Sequence, residues 1–137
     1  MPIKNYTTKV SAAKTVGEIQ EILAKHGACR VMLDFGEGGR VLGVTFAIPD
    51  VGGFRLPART ESVRRVMNEQ GIKCDVVRAE MVAWRNVKDW IDAQMAMVEA
   101  GQAEIAEVML PYMLRDGVTL YEAMAGKLIE SGGRDGR

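Results

Sequence analysis

A chain of 137 residues, 47% apolar and 26% charged, has the size and composition of one ordinary domain, long enough to bury a core without disulfide or metal staples. Its 18 basic and 18 acidic residues cancel, which argues against strong whole-molecule attraction to nucleic acid or to an anionic membrane. Two cysteines far apart, Cys29 and Cys74, and a single histidine, His26, give no disulfide framework and no zinc-ligand spacing.

The opening Ile3 to Val10 is rich in β formers and predicts a first strand. Thr15-Val16-Gly17-Glu18 has the spacing of a capping box, and Ile19, Ile22 and Leu23 form a helical stripe that Gly27 should end. Cys29, Val31, Leu33 and Phe35 then alternate with Arg30, Met32 and Asp34, so this segment reads as a strand with Cys29 pointing inward. Gly36 to Gly39 is a turn. Leu42, Val44, Phe46 and Ile48 alternate with Val41, Gly43, Thr45 and Ala47 in a third strand. After a turn from Pro49 to Gly53, Phe54 to Leu56 is a short last strand that Pro57 ends or places on an edge.

The second half reads as helical. Thr60 can cap a helix reaching about Gln70, and Gly71 stops it. A longer helix is expected from about Val76 to Gly101, with a stripe of Val77, Met81, Trp84, Val87, Ile91, Met95 and Val98. Both tryptophans lie on it. Six residues turn a helix by about 600°, so Trp84 and Trp90 face different sides, about 120° apart. Trp84, with Val87 and Ile91, is expected in the core, and Trp90 is a candidate interface aromatic. Arg85/Asp89 and Lys88/Asp92 have the spacing of helical ion pairs. A further helix is expected from Ala103 to Met113, distorted by Pro111. Thr119-Leu120-Tyr121-Glu122 is a second capping box. The expected fold is α+β, a β-α-β-β-β antiparallel sheet followed by a C-terminal helical half, with no strand after Gly71. One domain spans 1–137, with a sheet half at 1–71, a helical half at 72–130 and a frayed tail at 131–137.

Nothing in the sequence assembles a catalytic constellation. Gly36 to Gly39 lacks the Lys-Ser/Thr of a phosphate loop and no helix follows it. His26, Cys29 and Cys74 have no motif partners, and Asp89 and Asp92 lack the histidine or second acidic helix of a metal site. No enzyme activity, cofactor or metal is expected. Charge is split, however. From Phe54 to Lys88 eight basic residues outnumber four acidic ones, and from Asp89 to Gly126 seven acidic residues face Arg115 alone. Arg55, Arg59, Arg64 and Arg65 are therefore the candidate binding face, with Tyr6 and Trp90 as candidate interface aromatics. Tyr6, Arg30, Arg55 and Arg59 could also serve a nucleic-acid surface, but the aromatic cluster of single-strand binders is missing.

Several segments resemble a family of small proteins of phages, prophages and other mobile elements. They are Met1-Pro2-Ile3-Lys4-Asn5-Tyr6-Thr7-Thr8, Ala83 to Trp90, Glu99 to Ala103, Met109 to Tyr112 and Thr119 to Glu122, and together they span most of the chain. The resemblance carries over no site residue. It implies a bacterial cytoplasm as the setting and an accessory protein that acts by binding a host or phage protein complex, such as a counter-defence inhibitor. The alternatives are direct nucleic-acid binding and sequestration of a nucleotide signal in an oligomer. The opening lacks the apolar run of a signal peptide, and no membrane partner is expected.

Overall fold

Three segments with alternating apolar residues pair into one antiparallel sheet in the order β1 (Arg30–Phe35), β2 (Val41–Ile48), β3 (Gly52–Pro57). The computed structural model describes residues 1–126. The expected frayed tail at 131–137 lies outside the described residues. Before the sheet comes α1 (Ala12–Lys25). After it come α2 (Thr60–Glu69), α3 (Val76–Glu99) and the short α4 (Ile105–Val108). A 3-10 turn, Leu110–Tyr112, leads to a small hairpin of β4 (Leu114–Arg115) and β5 (Val118–Thr119), and residues 120–126 are helical, α5.

The fold is α+β as expected, with two corrections to its sheet. Ile3 to Val10 forms turns and extended chain, not a strand, so the sheet has three strands and not four. The segment is drawn instead onto α3, where Asn5 Nδ2 donates to Asn86 Oδ1 and Asp89 Oδ2, and the Arg78 guanidinium donates to the Thr8 carbonyl. Strands also occur after Gly71, because Asp116 and Gly117 both adopt positive φ and close the β4–β5 hairpin.

One core joins the sheet to α1 and α3. Val16, Ile19 and Leu23 of α1 and Ala83, Trp84, Ile91 and Met95 of α3 bury against Val44, Phe46, Phe54 and Leu56. Phe46 and Phe54 are opposite each other in the register and stack with ring centroids 5.2 Å apart. A smaller cluster of Met67, Cys74, Ala79 and Val82 holds α2 to the start of α3. Trp84 is wholly buried as expected, whereas Val77 is 60% exposed and lies off the stripe. Arg85 reaches across to Glu18 on α1 at 3.1 Å and makes no pair with Asp89, while Lys88–Asp92 forms at 2.8 Å.

Local signals were displaced by tertiary ones at several ends. Ser11, not Thr15, caps α1, its Oγ accepting from the Lys14 N–H at 3.1 Å; Thr15 is buried in the first turns against α3. Arg59, not Thr60, is the N-cap of α2, and Thr60 is buried. The expected helix from Ala103 to Met113 is divided into α4 and the 3-10 turn that holds Pro111. Gly27 and Gly71 end α1 and α2 with positive φ as expected. The Thr119 box is present in full: Thr119 N–H donates to Glu122 at 2.8 Å, and Glu122 N–H donates to Thr119 Oγ1 at 3.2 Å.

The alternation along β1 and β2 fails at one place. The register shifts between Asp34 and Phe35, which pairs with Val41, so Leu42 is the extra residue of a bulge. Phe35 and Leu42 turn outward, 62% and 48% exposed, and Val41 turns in. Two residues of α3 take up its backbone. Val41 N–H donates to Glu80 Oε2 at 2.8 Å, and the buried Trp84 Nε1–H donates to the Val41 carbonyl at 3.0 Å.

Trp84→Ala removes both core volume and that donor. It should destabilise the fold by about 3–5 kcal/mol, the range for aromatic-to-alanine changes in cores. Trp84→Phe keeps most of the volume but leaves the carbonyl unpaired, and should cost about 1–3 kcal/mol. Urea midpoints of the wild type and both variants measure the two contributions; a Trp84→Phe midpoint equal to that of the wild type would show that the indole hydrogen bond contributes nothing.

Candidate functional site

Helix α3 presents two stripes. One, with Glu80, Trp84, Ile91 and Met95, faces the sheet and α1. The other, rotated by about one residue or 100°, carries Ala83, Asn86, Val87 and Trp90. This second stripe forms the wall of a cleft of about 430 Å³. The other walls are the end of β3 (Leu56, Pro57), the β3–α2 connection (Ala58, Arg59), Val63 of α2, Pro111 and Tyr112, and Tyr121 of α5. The floor is aliphatic, the sides are aromatic, and the polar groups at the rim are few. Such a concave apolar site with a few convergent polar groups is the usual form of a binding pocket.

Each wall is fixed by a separate interaction. Trp90 meets the Tyr112 ring edge-on, with centroids 5.6 Å apart. Asn86 is held by Asn5, which also bonds Asp89 at 2.9 Å. That hydrogen bond, followed by the Lys4 ammonium at 3.3 Å, holds the Asp89 carboxyl below the ordinary range against the opposing effect of desolvation. Tyr121 is placed by the Thr119 box at the start of α5. Arg59 has φ 56° and ψ 45°, a left-handed conformation that costs a non-glycine residue about 1–2 kcal/mol. This conformation turns the chain from β3 into α2 and lays the guanidinium over the Tyr121 ring, 5.7 Å from its centroid.

The four arginines read from the sequence do not lie together on one face. Arg55 lies on the outer face of β3 and bonds the Gly117 carbonyl and Glu122, both at 3.2 Å. Arg65 faces Glu69 at 3.9 Å on the outer side of α2. Arg64 borders a shallow, polar depression with Glu61, Arg65, Asn68 and Glu69, and a second one with Lys73, Cys74 and Arg78. Of the four only Arg59 lines the apolar cleft, whose lining also includes Trp90, the second residue singled out from the sequence. Tyr6 is exposed in the N-terminal turn and takes no part in the cleft lining. Tyr112 and Tyr121 were missed; their only sequence signals are the Pro111 turn and the Thr119 box.

The remaining candidates are placed as follows. His26 caps the C-terminus of α1, its ring nitrogens 2.8 Å from the Ile22 carbonyl and 2.8 Å from Glu99 Oε1, a tie between α1 and the end of α3. Cys29 is exposed, not inward as expected; its N–H bonds Ala47, whose partner in the ladder is Arg30, so the strand's alternation begins only after it. Cys74 is buried, and burial, followed by the adjacent Asp75, raises its thiol pKa. Among the described residues no group of three His, Cys, Asp or Glu side chains could hold a metal ion, and no helix is long and apolar enough to cross a membrane. No protein-family model, curated protein or solved structure matches the chain.

The Glu122 carboxylate caps α5, the helix that carries the Tyr121 wall. Hydrogen bonds from Thr119, backbone first and then side chain, lower its pKa, and Arg55 adds to the shift. A carboxyl depressed in the folded state contributes stability at neutral pH that is lost as pH falls through the folded value. Glu122→Gln keeps the capping geometry but does not titrate. The wild type should therefore lose more stability than this variant between neutral pH and the acid limb of the melt. Parallel losses in urea midpoints across that range would show that Glu122 carries none of the acid sensitivity.

Proposed function

We propose that the protein acts by binding and not by chemistry, and that the cleft between β3, α3 and α5 is its contact site. The carrying observation is the cleft itself: an aliphatic floor, Trp90, Tyr112 and Tyr121 on its sides, and one exposed arginine, Arg59, at its rim. This composition suits an apolar or aromatic side chain with a carboxylate beside it, as a protein segment can present. Aromatics and arginine are the residue types that dominate protein contacts. Nucleic acid is a weaker fit, because Arg55 and Arg65 are already paired with Glu122 and Glu69. A phage or mobile-element accessory role in a bacterial cytoplasm, counter-defence inhibition included, is the biological setting proposed for this contact. It rests on the sequence resemblance alone.

N-acetyl-phenylalanine and N-acetyl-tryptophan are suitable probes. Titration should shift the amide resonances of Ala83, Asn86, Val87, Trp90 and Tyr121 and leave those of Arg64 and Arg65 unmoved. Arg59→Gly is the informative variant. Relief of the left-handed strain, about 1 kcal/mol, offsets the lost contact with Tyr121, about 0.5–1 kcal/mol, so stability should hardly change. Affinity for the carboxylate probes should nonetheless fall about tenfold or more, as for loss of a charged hydrogen bond. The same variant should release a protein captured from a bacterial lysate. Shifts centred on Arg64 and Arg65, or capture that resists Arg59→Gly and falls steeply with salt, would replace this reading by a nucleic-acid one.

A further inference from the structure

Among the described residues the outer edge of β1 is open. In the sheet order β1-β2-β3, the outer edge of β3 is covered in part by Met113, which bridges to Phe54, and by the β4–β5 hairpin that follows. Among the described residues β1 pairs with β2 alone. It carries neither proline nor lysine, the usual guards of an exposed edge.

The register determines what this edge offers. The Ala58 N–H donates to the Leu42 carbonyl, so the even-numbered residues of β2 bond β3 and the odd-numbered ones bond β1. The pairs Arg30↔Ala47, Met32↔Thr45 and Asp34↔Gly43 then turn the backbone of Arg30, Met32 and Asp34 towards β2. The N–H and C=O groups of Val31 and Leu33 point outward. Their side chains lie on the core face, half-buried, and Arg30, Met32 and Asp34 lie on the outer face.

From this we infer that β1 pairs with β1 of a second copy of the chain, antiparallel about a two-fold axis at Met32, giving one sheet from both copies' three strands. An isologous contact must be self-complementary, and this register is. Val31 of each copy stands opposite Leu33 of the other, and the two pairs exchange all four outward backbone hydrogen bonds. On the core face the same residues extend each apolar core across the axis. On the outer face, Arg30 of each copy stands opposite Asp34 of the other, twice, in the closely spaced non-hydrogen-bonded pairs. Met32, 55% exposed, meets its own copy at the axis. Shifting the axis to Leu33 would set Met32 against Asp34 and lose both charge pairs. Charge complementarity thus selects the register that the backbone permits.

Sedimentation of the full chain tests the assignment. The wild type should sediment at twice the 15.0 kDa chain mass at micromolar concentration. Arg30→Glu faces two carboxylates with like charges, and Met32→Lys sets two ammonium groups together at the axis. Each should weaken dimerisation at least tenfold and leave the circular dichroism and thermal melt of the monomer intact, since both side chains are on the exposed outer face. Directly opposed non-hydrogen-bonded residues have Cα atoms about 4.5 Å apart, within disulfide reach. Met32→Cys in a Cys29→Ser background should therefore cross-link into a dimer on mild oxidation, and Arg30→Cys in that background should not. A wild type that stays monomeric in the high-micromolar range overturns the inference and leaves the edge to a strand of another protein. A dimer indifferent to both charged variants, or one that Met32→Cys fails to cross-link, overturns it as well.

Discussion

The arrangement turns on the backbone of Val41. The bulge at Leu42 takes this residue out of regular pairing, and a residue with neither N–H nor C=O satisfied in the interior would cost several kcal/mol. Glu80 and Trp84, one helical turn apart on α3, satisfy one group each. A helix held at two consecutive turns to one residue of a strand has no freedom to rotate about its axis or to slide along it. Trp84 does this while filling the centre of the core, so the hydrogen bond and the packing enforce the same geometry. Polar anchoring inside a close-packed interior selects one arrangement among several that apolar packing alone would tolerate.

With that rotation fixed, the two flanks of α3 acquire different tasks. Arg85 and His26–Glu99 bind α1 along one side. On another, Ala83, Asn86, Val87 and Trp90 face space that no regular element among the described residues fills, because the helix after α3 breaks into α4 and a 3-10 turn. Tyr112 and Tyr121 reach back to line that space but do not close it. Arg59 adds a conformational cost at the same place. A strained residue that projects its guanidinium over an aromatic ring at the rim of an apolar cleft contributes little to the fold, which is why its position there is informative.

Much of this was legible in the chain. Periods of two and of 3.6 marked β1, β2, β3 and α3, Gly27 and Gly71 marked the ends of α1 and α2, and the Thr119 box marked the start of α5. The errors share one cause, competition between a local signal and a tertiary one. Ile3 to Val10 has strand composition, but Asn5 and Thr8 are bound to α3, which holds the segment away from the sheet. Thr15 has a capping residue's spacing, yet its burial against Arg85 leaves the cap to Ser11. The hairpin was a signal overlooked, since Asp116-Gly117 is a strong turn pair. The bulge left no mark at all, because Leu42 continues the apolar alternation that its exposure contradicts. The cleft was illegible for a different reason. Its lining comes from residues 56–63, 83–90 and 111–121, and only the packing of α3 brings those segments together.

The two contact surfaces argued from this fold lie on opposite edges of the sheet. The cleft opens beyond β3, and the free strand edge belongs to β1, with β2 between them. A second copy joined at β1 therefore covers neither cleft and carries both outward, related by the two-fold axis. For a partner that displays its apolar segment more than once, such a dimer binds the second segment as an intramolecular event, at an effective concentration set by geometry. That gain requires no new contact at the cleft, and a site with one exposed arginine and a few aromatic walls has few contacts to spare. A chain whose net charge is zero also cannot rely on long-range attraction to raise its encounter rate. If the cleft binds a partner as proposed, pairing two modest sites through a self-complementary edge would hold it firmly without a large or strongly charged interface.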